Sequence, residues 1–305
     1  MQEQEIRFKS GEIELAGTIT LPDSNGPFPG VLFITGSGQV DRNENHKKMR
    51  INAFYEISHY LAENGIASLR YDKRGVGESQ GDYWKTGFYD NSQDALAALQ
   101  YLKQQKNIQN EYIFILGHSE GALQAMRLAG GGVEVAGIIL LAGAAQSGEA
   151  ILKWQAIQIA KGLKGINGWL IKILHINISK AQQKQIDKIK KSKQDYFRSQ
   201  LVAKINAKWF REFMDYNPTE DLRRITAPVL AITGSKDIQV DPADLEIMAH
   251  LVKAPFEQHL IQNMTHMLRI EEGDASLSKY KEEIKKPIEP QLLEIVLHWL
   301  KTELI

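Results

Sequence analysis

Short, continuous apolar runs set the architecture of this chain: Val31-Leu32-Phe33-Ile34, Ile66–Tyr71, Tyr112–Leu116, Val135–Leu141 and Val229–Thr233. Each is rich in β-branched residues and lacks the polar alternation of a half-solvated strand, so each reads as a strand covered on both faces. Parallel neighbours of that kind need crossover connections, usually helical. Helical patterns at Ile51–Glu63, Gln93–Leu102 (behind a cap at Asp90 or Asn91) and Gly121–Leu128 supply them. An antiparallel pair, Ile6–Lys9 and Glu12–Leu21, opens the chain, the second strand alternating Ile13, Leu15, Gly17 and Ile19 before Pro22 stops it. A helix near Asp244–Leu251, a strand within Glu257–Gln262 and a closing helix with Leu293, Val296, Leu297 and Leu300 on one face complete the pattern. The expectation is an α/β fold with a mostly parallel, eight-stranded sheet flanked by helices.

The alternation stops at about Gln146 and resumes at about Ala227. Residues 146–216 contain no proline, carry apolar residues at helical spacing, and hold 14 Lys+Arg against 5 Asp+Glu. This is a helical insertion with net charge +9, and it divides a core made of residues 1–145 and 217–305. The 305-residue chain as a whole has 37 basic and 37 acidic side chains, so the core carries −9. Overall neutrality argues against nucleic acid as the partner, since such binding shows as a basic excess. The absence of cysteine excludes a disulfide framework, a thiolate metal site and a Cys nucleophile. The longest apolar run, Val135 to Ala145, is far short of the roughly 20 residues of a membrane-spanning helix. Met1-Gln2-Glu3-Gln4-Glu5 lacks the basic start and apolar stretch of a secretory signal, so the sequence as it stands reads as cytoplasmic, with export after signal removal as the alternative.

Gly117-His118-Ser119-Glu120-Gly121 fits G-x-S-x-G, the tight turn that lifts a serine out of a sheet between strand and helix. Gly77-Glu78-Ser79-Gln80-Gly81 fits the same expression. Context separates them: Ser119 follows the strand Tyr112–Leu116 and precedes a helix, whereas Ser79 has neither flank. Ser119 is therefore the candidate nucleophile. A serine hydroxyl needs a base, and the imidazole and its orienting carboxylate are expected in the order Ser, Asp/Glu, His. Of eight histidines, His46 and His59 precede the nucleophile, His118 lies inside the turn, and His175 falls in the insertion. His250 ends a predicted helix, His259 lies in a strand and His298 rides the closing helix. His266 remains, on a loop past the last predicted strand, where sheet enzymes assemble their sites. For the carboxylate, Asp237 follows directly on the strand Val229–Thr233; Asp241 and Asp244 compete, the latter placed to favour a helix N-terminus. Backbone N–H groups of Glu120 and of Ser37, in the glycine-rich loop Thr35-Gly36-Ser37-Gly38-Gln39, are the candidate donors for an oxyanion.

On these residues the chain resembles the serine hydrolases of the α/β-hydrolase superfamily, esterase-like, with a helical cap (lid) inserted after the sixth core strand. Gly36-Ser37-Gly38-Gln39-Val40-Asp41-Arg42-Asn43-Glu44 is similar to the G-S-G-x-x-D-R-x-E stretch of a group of bacterial carboxylesterases. Tyr71-Asp72-Lys73-Arg74-Gly75-Val76-Gly77-Glu78-Ser79 is similar to a D-x-R-G-x-G-x-S loop of the superfamily that is usually architectural. Where many relatives have His-Gly at the start of the oxyanion loop, this chain has Thr35-Gly36. The resemblance implies carboxylic ester hydrolysis through an acyl-enzyme on Ser119, with no metal or other cofactor and a small-molecule ester as partner; a homo-oligomer is left open. The same triad serves thioesterases, amidases, peptidases and acyltransferases, and a hydrolase fold also occurs as a non-catalytic binding protein. Trp154, Trp169, Trp209, Phe210 and Phe213 of the insertion are candidates to line the acyl pocket, and Asp41, Arg42 and Glu44 read as a cluster that braces the oxyanion loop.

Overall fold

A computed structural model describes residues 1–162, 178–198 and 204–305. In chain order it contains β1 (Gln2–Ser10), β2 (Ile13–Leu21), β3 (Phe28–Ile34), α1 (Ala53–Glu63), β4 (Ala67–Tyr71), α2 (Phe88–Lys103), β5 (Ile108–His118), α3 (Glu120–Gly130) and β6 (Gly137–Leu141). Then come α4 (Gly148–Gly162), α5 (Ile178–Lys191), β7 (Tyr196–Arg198), β8 (Lys204–Asn206), α6 (Ala207–Asp215) and α7 (Thr219–Arg224). The chain finishes with β9 (Val229–Gly234), α8 (Asp244–Leu251), β10 (Phe256–Ile261), α9 (Tyr280–Glu283) and α10 (Pro290–Thr302). Eight strands form one sheet in the order β1-β2-β4-β3-β5-β6-β9-β10. β1, β2 and β4 pair antiparallel, and every pairing from β4 through β3, β5, β6 and β9 to β10 is parallel.

The continuous apolar runs are explained by what covers them. In β5, Ile113 and Ile115 face one core while Phe114 and Leu116 face the other; in β6, Ile138 and Leu140 oppose Ile139 and Leu141 in the same way. With a side-chain period of two and both faces covered, every position must be apolar. α2, α3 and α8 pack on the first face through Ala95, Leu99, Leu123, Met126 and Met248. α1 and α10 pack on the second through Phe54, Ile57, Leu61, Leu292 and Val296, with Trp299 edge-on to Phe114 at 5.9 Å between ring centroids. The closing helix is thus rotated from the expected face: Leu292, Val296, Trp299 and Leu300 are buried, while Leu293 and Leu297 are half-buried.

Helix α2 also differs from its expectation, starting at Phe88 rather than Gln93. Asp90 is not its cap but its third residue, accepting the Gly87 N–H at 2.7 Å. The Tyr89 N–H is met at 3.0 Å by Glu212 of α6, from the inserted segment. Between β6 and β9 the described regular elements are helices except for the β7–β8 ribbon, whose three-residue strands are too short to leave a periodic signal. Ile186, Ile189 and Met214 form a small core of their own there. Asn206 fastens this segment to the body, donating from Nδ2 to Tyr83 O and Thr86 O at 2.7 Å each while capping α6. No helix among the described residues is long and apolar enough to cross a membrane.

Candidate active site

Ser119 sits between β5 and α3 with φ 56° and ψ −115°, a left-handed conformation that costs a non-glycine residue energy. The flanking glycines have no alternative. A Cβ on Gly117 would lie 2.1 Å from Gly121 O, and one on Gly121 would lie 1.8 Å from Ile34 O. The bend therefore presses the turn against β3, and it brings Gly36 so close that a Cβ there would lie 3.3 Å from Ser119 Cβ.

Asp237 follows β9 and His266 follows β10, on the same sheet edge as the loops after β3 and β5, namely the carboxyl ends of the parallel strands. His266 Nδ1 lies 2.7 Å from Asp237 Oδ2, and both residues are buried. The other Asp237 oxygen accepts the N–H groups of Gln239 and Val240 at 2.7 and 2.9 Å. A carboxylate so held keeps the Nδ1 proton on the imidazole and leaves Nε2 as an acceptor. The two competing aspartates are used elsewhere: Asp241 accepts the Ala243 N–H at 3.1 Å, and Asp244 accepts from Gln146 Nε2 at 3.0 Å. Burial pushes Asp244 up to about 6. Ser119 Oγ and the His266 ring are not hydrogen-bonded to one another among the described residues; the His266 ring lies 4.8 Å, centroid to centroid, from that of His118, the residue before Ser119.

A cavity of about 410 Å³ opens over Ser119. Ser37 and Glu120 line it, and neither backbone N–H has a protein acceptor among the described residues. Of the expected pocket residues, Trp209 and Phe213 line the cavity, stacked at 4.6 Å. Trp154 does not: Ile151, Leu152 and Gln155 present the lining face of α4, and Trp154 falls about 100° round the helix from its centre at 3.6 residues per turn. Trp169 lies outside the described residues. Phe210, expected with them, lines the cavity too. Sequence reasoning missed Tyr83, Trp84 and Lys204, which reach the cavity from separate segments and share no motif.

The charges beside the oxyanion loop are consumed within the protein. Glu44 Oε1 accepts the Gly36 N–H at 2.6 Å, Arg42 pairs with Asp72 at 2.8 Å, and Asp41 accepts the N–H groups of Asn43 and Asn45 at 2.8 and 2.9 Å. Lys73 Nζ donates to Gly36 O and stands 3.6 Å from Glu120 Oε2. Glu44 Oε2 lies 3.3 Å from His118 Nδ1, a buried pair 74 positions apart that no motif announced. Burial opposes the charge on each partner, but the pairing outweighs it: Glu44 is held below the ordinary carboxylate range and His118 above the ordinary imidazole value. Ser79, the decoy, is buried and structural, its hydroxyl accepting from Ala16 N at 2.9 Å and donating to Asp72 O at 2.7 Å.

Comparisons with known proteins bear on the family and the fold. A family model described as serine aminopeptidase, S33 matches residues 48–273. The chain belongs to this family. Among curated relatives, esterase EstD of Thermotoga maritima is 27% identical over 288 residues, covering 94% of this chain but 65% of EstD, so the chain spans about two thirds of that relative's length. Est1E of Butyrivibrio proteoclasticus, solved with ferulic acid, superposes with a TM-score of 0.65 at 19% identity over 98% of this chain and 99% of that one. The α/β hydrolase GrgF of Penicillium sp. gives 0.67 at 15% identity over 99% of each chain. These likenesses establish the α/β-hydrolase fold for this member of the S33 family.

Proposed function

We propose that the chain is a serine hydrolase that cleaves carboxylic esters through an acyl-enzyme on Ser119. The observation that carries this reading is the strained Ser119 turn on the same sheet edge as the Asp237–His266 pair at 2.7 Å. In this mechanism Ser119 Oγ attacks the ester carbonyl as His266 Nε2 takes its proton, a transfer that requires the two side chains to close on each other as substrate binds. Asp237 holds the tautomer and stabilises the imidazolium without taking the proton itself. The N–H groups of Ser37 and Glu120 receive the oxyanion, and His266 returns its proton to the departing alcohol; water then repeats the sequence on the acyl-enzyme. The segment 146–216 acts as the cap, with Trp209 and Phe213 against the acyl group.

The family description keeps aminopeptidase activity as a second reading. An aminopeptidase must seat a free ammonium, and the acidic residue lining the cavity, Glu120, is already committed: its Oε1 accepts from Asn91 Nδ2 at 2.7 Å and its Oε2 faces Lys73. That favours esters. The test is fluorophosphonate labelling with mapping of the modified peptide, together with turnover of p-nitrophenyl acetate and of aminoacyl p-nitroanilides. Labelling at Ser119 with ester turnover that Ser119→Ala abolishes is the expected result; turnover surviving in Ser119→Ala, or labelling elsewhere, overturns the assignment.

A further inference from the structure

We propose that Glu44 and His118 form a second, charged His–carboxylate pair that positions the active site by tying three of its loops together. This rests on the ester-hydrolase reading above. His118 Nε2 lies 3.1 Å from the main-chain oxygen of His266 and must donate to it, since a carbonyl only accepts. With that nitrogen protonated, a neutral ring would turn the bare lone pair of Nδ1 toward the Glu44 carboxylate 3.3 Å away, an arrangement that repels. Protonating Nδ1 as well turns the repulsion into an ion pair, so His118 is an imidazolium. All three residues are buried. Glu44 also fixes Gly36 N–H at 2.6 Å, immediately before the oxyanion donor at Ser37. The chain Gly36–Glu44–His118–His266 therefore links the loop after β3, the turn after β5 and the loop after β10.

The charged groups facing His118 are Glu44 from the β3 loop, Asp237 from the β9 loop and the His266 ring from the β10 loop, while Lys73 from the β4 loop faces Glu44. The two carboxylates favour the imidazolium. When His118 loses a proton, either the Glu44 contact or the tether to His266 O is lost, so the pair sets an alkaline limit on activity. Histidine-selective ¹⁵N NMR of the wild-type protein reads this directly. Both ring nitrogens of His118 should be protonated at pH 7.5, and a neutral His118 there overturns the proposal whatever the substrate proves to be. In Glu44→Gln the alkaline limb of kcat against pH should move acidward by a unit or more, with kcat down about tenfold and KM changed less than kcat. A folded Glu44→Gln whose profile superposes on wild type also overturns it. Loss of ester turnover in the wild type would instead count against the ester reading, leaving the NMR result standing.

We also infer that the cavity accepts esters bearing a second, free carboxylate. Among the described residues, Lys204 is the one Lys or Arg lining it. Its Nζ is held 3.7 Å from the Tyr196 ring centroid and 4.6 Å from that of Trp84, and two residues on, Asn206 anchors the strand. No carboxylate lies within 4 Å of it among the described residues, and the undescribed stretches contain no Asp or Glu. A cation held against two aromatic rings, with no carboxylate within 4 Å and with Glu120 of the same cavity already facing Lys73, matches an amphiphilic anion. The p-nitrophenyl hemiester of glutaric acid, compared with p-nitrophenyl butyrate, tests this through the ratio of their kcat/KM values. Lys204→Met should lower the ratio about tenfold or more, while Lys184→Met, on the outer face of α5, keeps it. A ratio unmoved by Lys204→Met refutes the subsite, and turnover of the neutral ester shows separately that the hydrolase reading holds.

Discussion

The hydroxyl of Ser79 bridges Ala16 N and Asp72 O, so its removal should be felt in stability rather than in chemistry. Ser79→Ala leaves the buried Ala16 N–H without its acceptor, at a cost of about 1–3 kcal/mol. The variant should melt several degrees lower and still label at Ser119 with full stoichiometry; loss of labelling in the folded protein would contradict this division of roles. Asp244 offers a second test. Burial holds its folded-state value at about 6, above its ordinary 3.8, with the Gln146 amide only partly offsetting the effect. The folded protein therefore favours the protonated form, and the stability this gives is complete below about pH 4 and lost as pH rises through about 6. Asp244→Asn, which keeps an acceptor for Gln146, should raise Tm at pH 7.5 and leave it unchanged near pH 4. An equal Tm at both pH values would show that Asp244 ionises without cost.

The elements that position the site were legible to different depths. Strands β3, β5, β6 and β9 were evident because full burial forces unbroken apolar runs, and Ser119, Asp237 and His266 followed from their places at strand ends. The start of α2 was not, because its N-terminus is completed by a side chain 123 positions away: Glu212 Oε2 on the Tyr89 N–H. Nor was the rotation of α10, whose Trp299 wins the buried face over Leu293 and Leu297 by packing on Phe114. Long-range caps and ring contacts of this kind leave no local pattern. Glu212→Ala removes an N-terminal acceptor, a loss worth about 0.5–2 kcal/mol, and also loosens α6 from the body. It should lower Tm by a few degrees and raise KM for esters more than it lowers kcat. A fall in kcat alone would place Glu212 in a different role.

Across the whole molecule, the neutral total conceals a division between residues 146–216 at +9 and the rest of the chain at −9. Much of that positive charge points outward: Lys184, Lys188, Lys190 and Lys191 are exposed on α5, while Ile186 and Ile189 face inward. Exposed charges of this sort are screened within about 8 Å at physiological salt. The salt dependence of KM for an anionic ester should therefore be the same in the wild type and in Lys184→Met; a dependence that the variant loses would mean the outer lysines steer substrate. The split in sequence is reconciled in space at one point. β6 and β9, which flank the insertion, are hydrogen-bonded neighbours, and Gly148 N donates to Tyr216 O at 3.0 Å, with Gly148 so near Phe213 O that a Cβ would lie 1.9 Å away. The segment leaves and returns through a single doorway, closed by its own backbone. The β6–β9 pairing closes the sheet behind that door, so a segment of different length or lining could leave and return there with the loops after β3, β5, β9 and β10 held where they are.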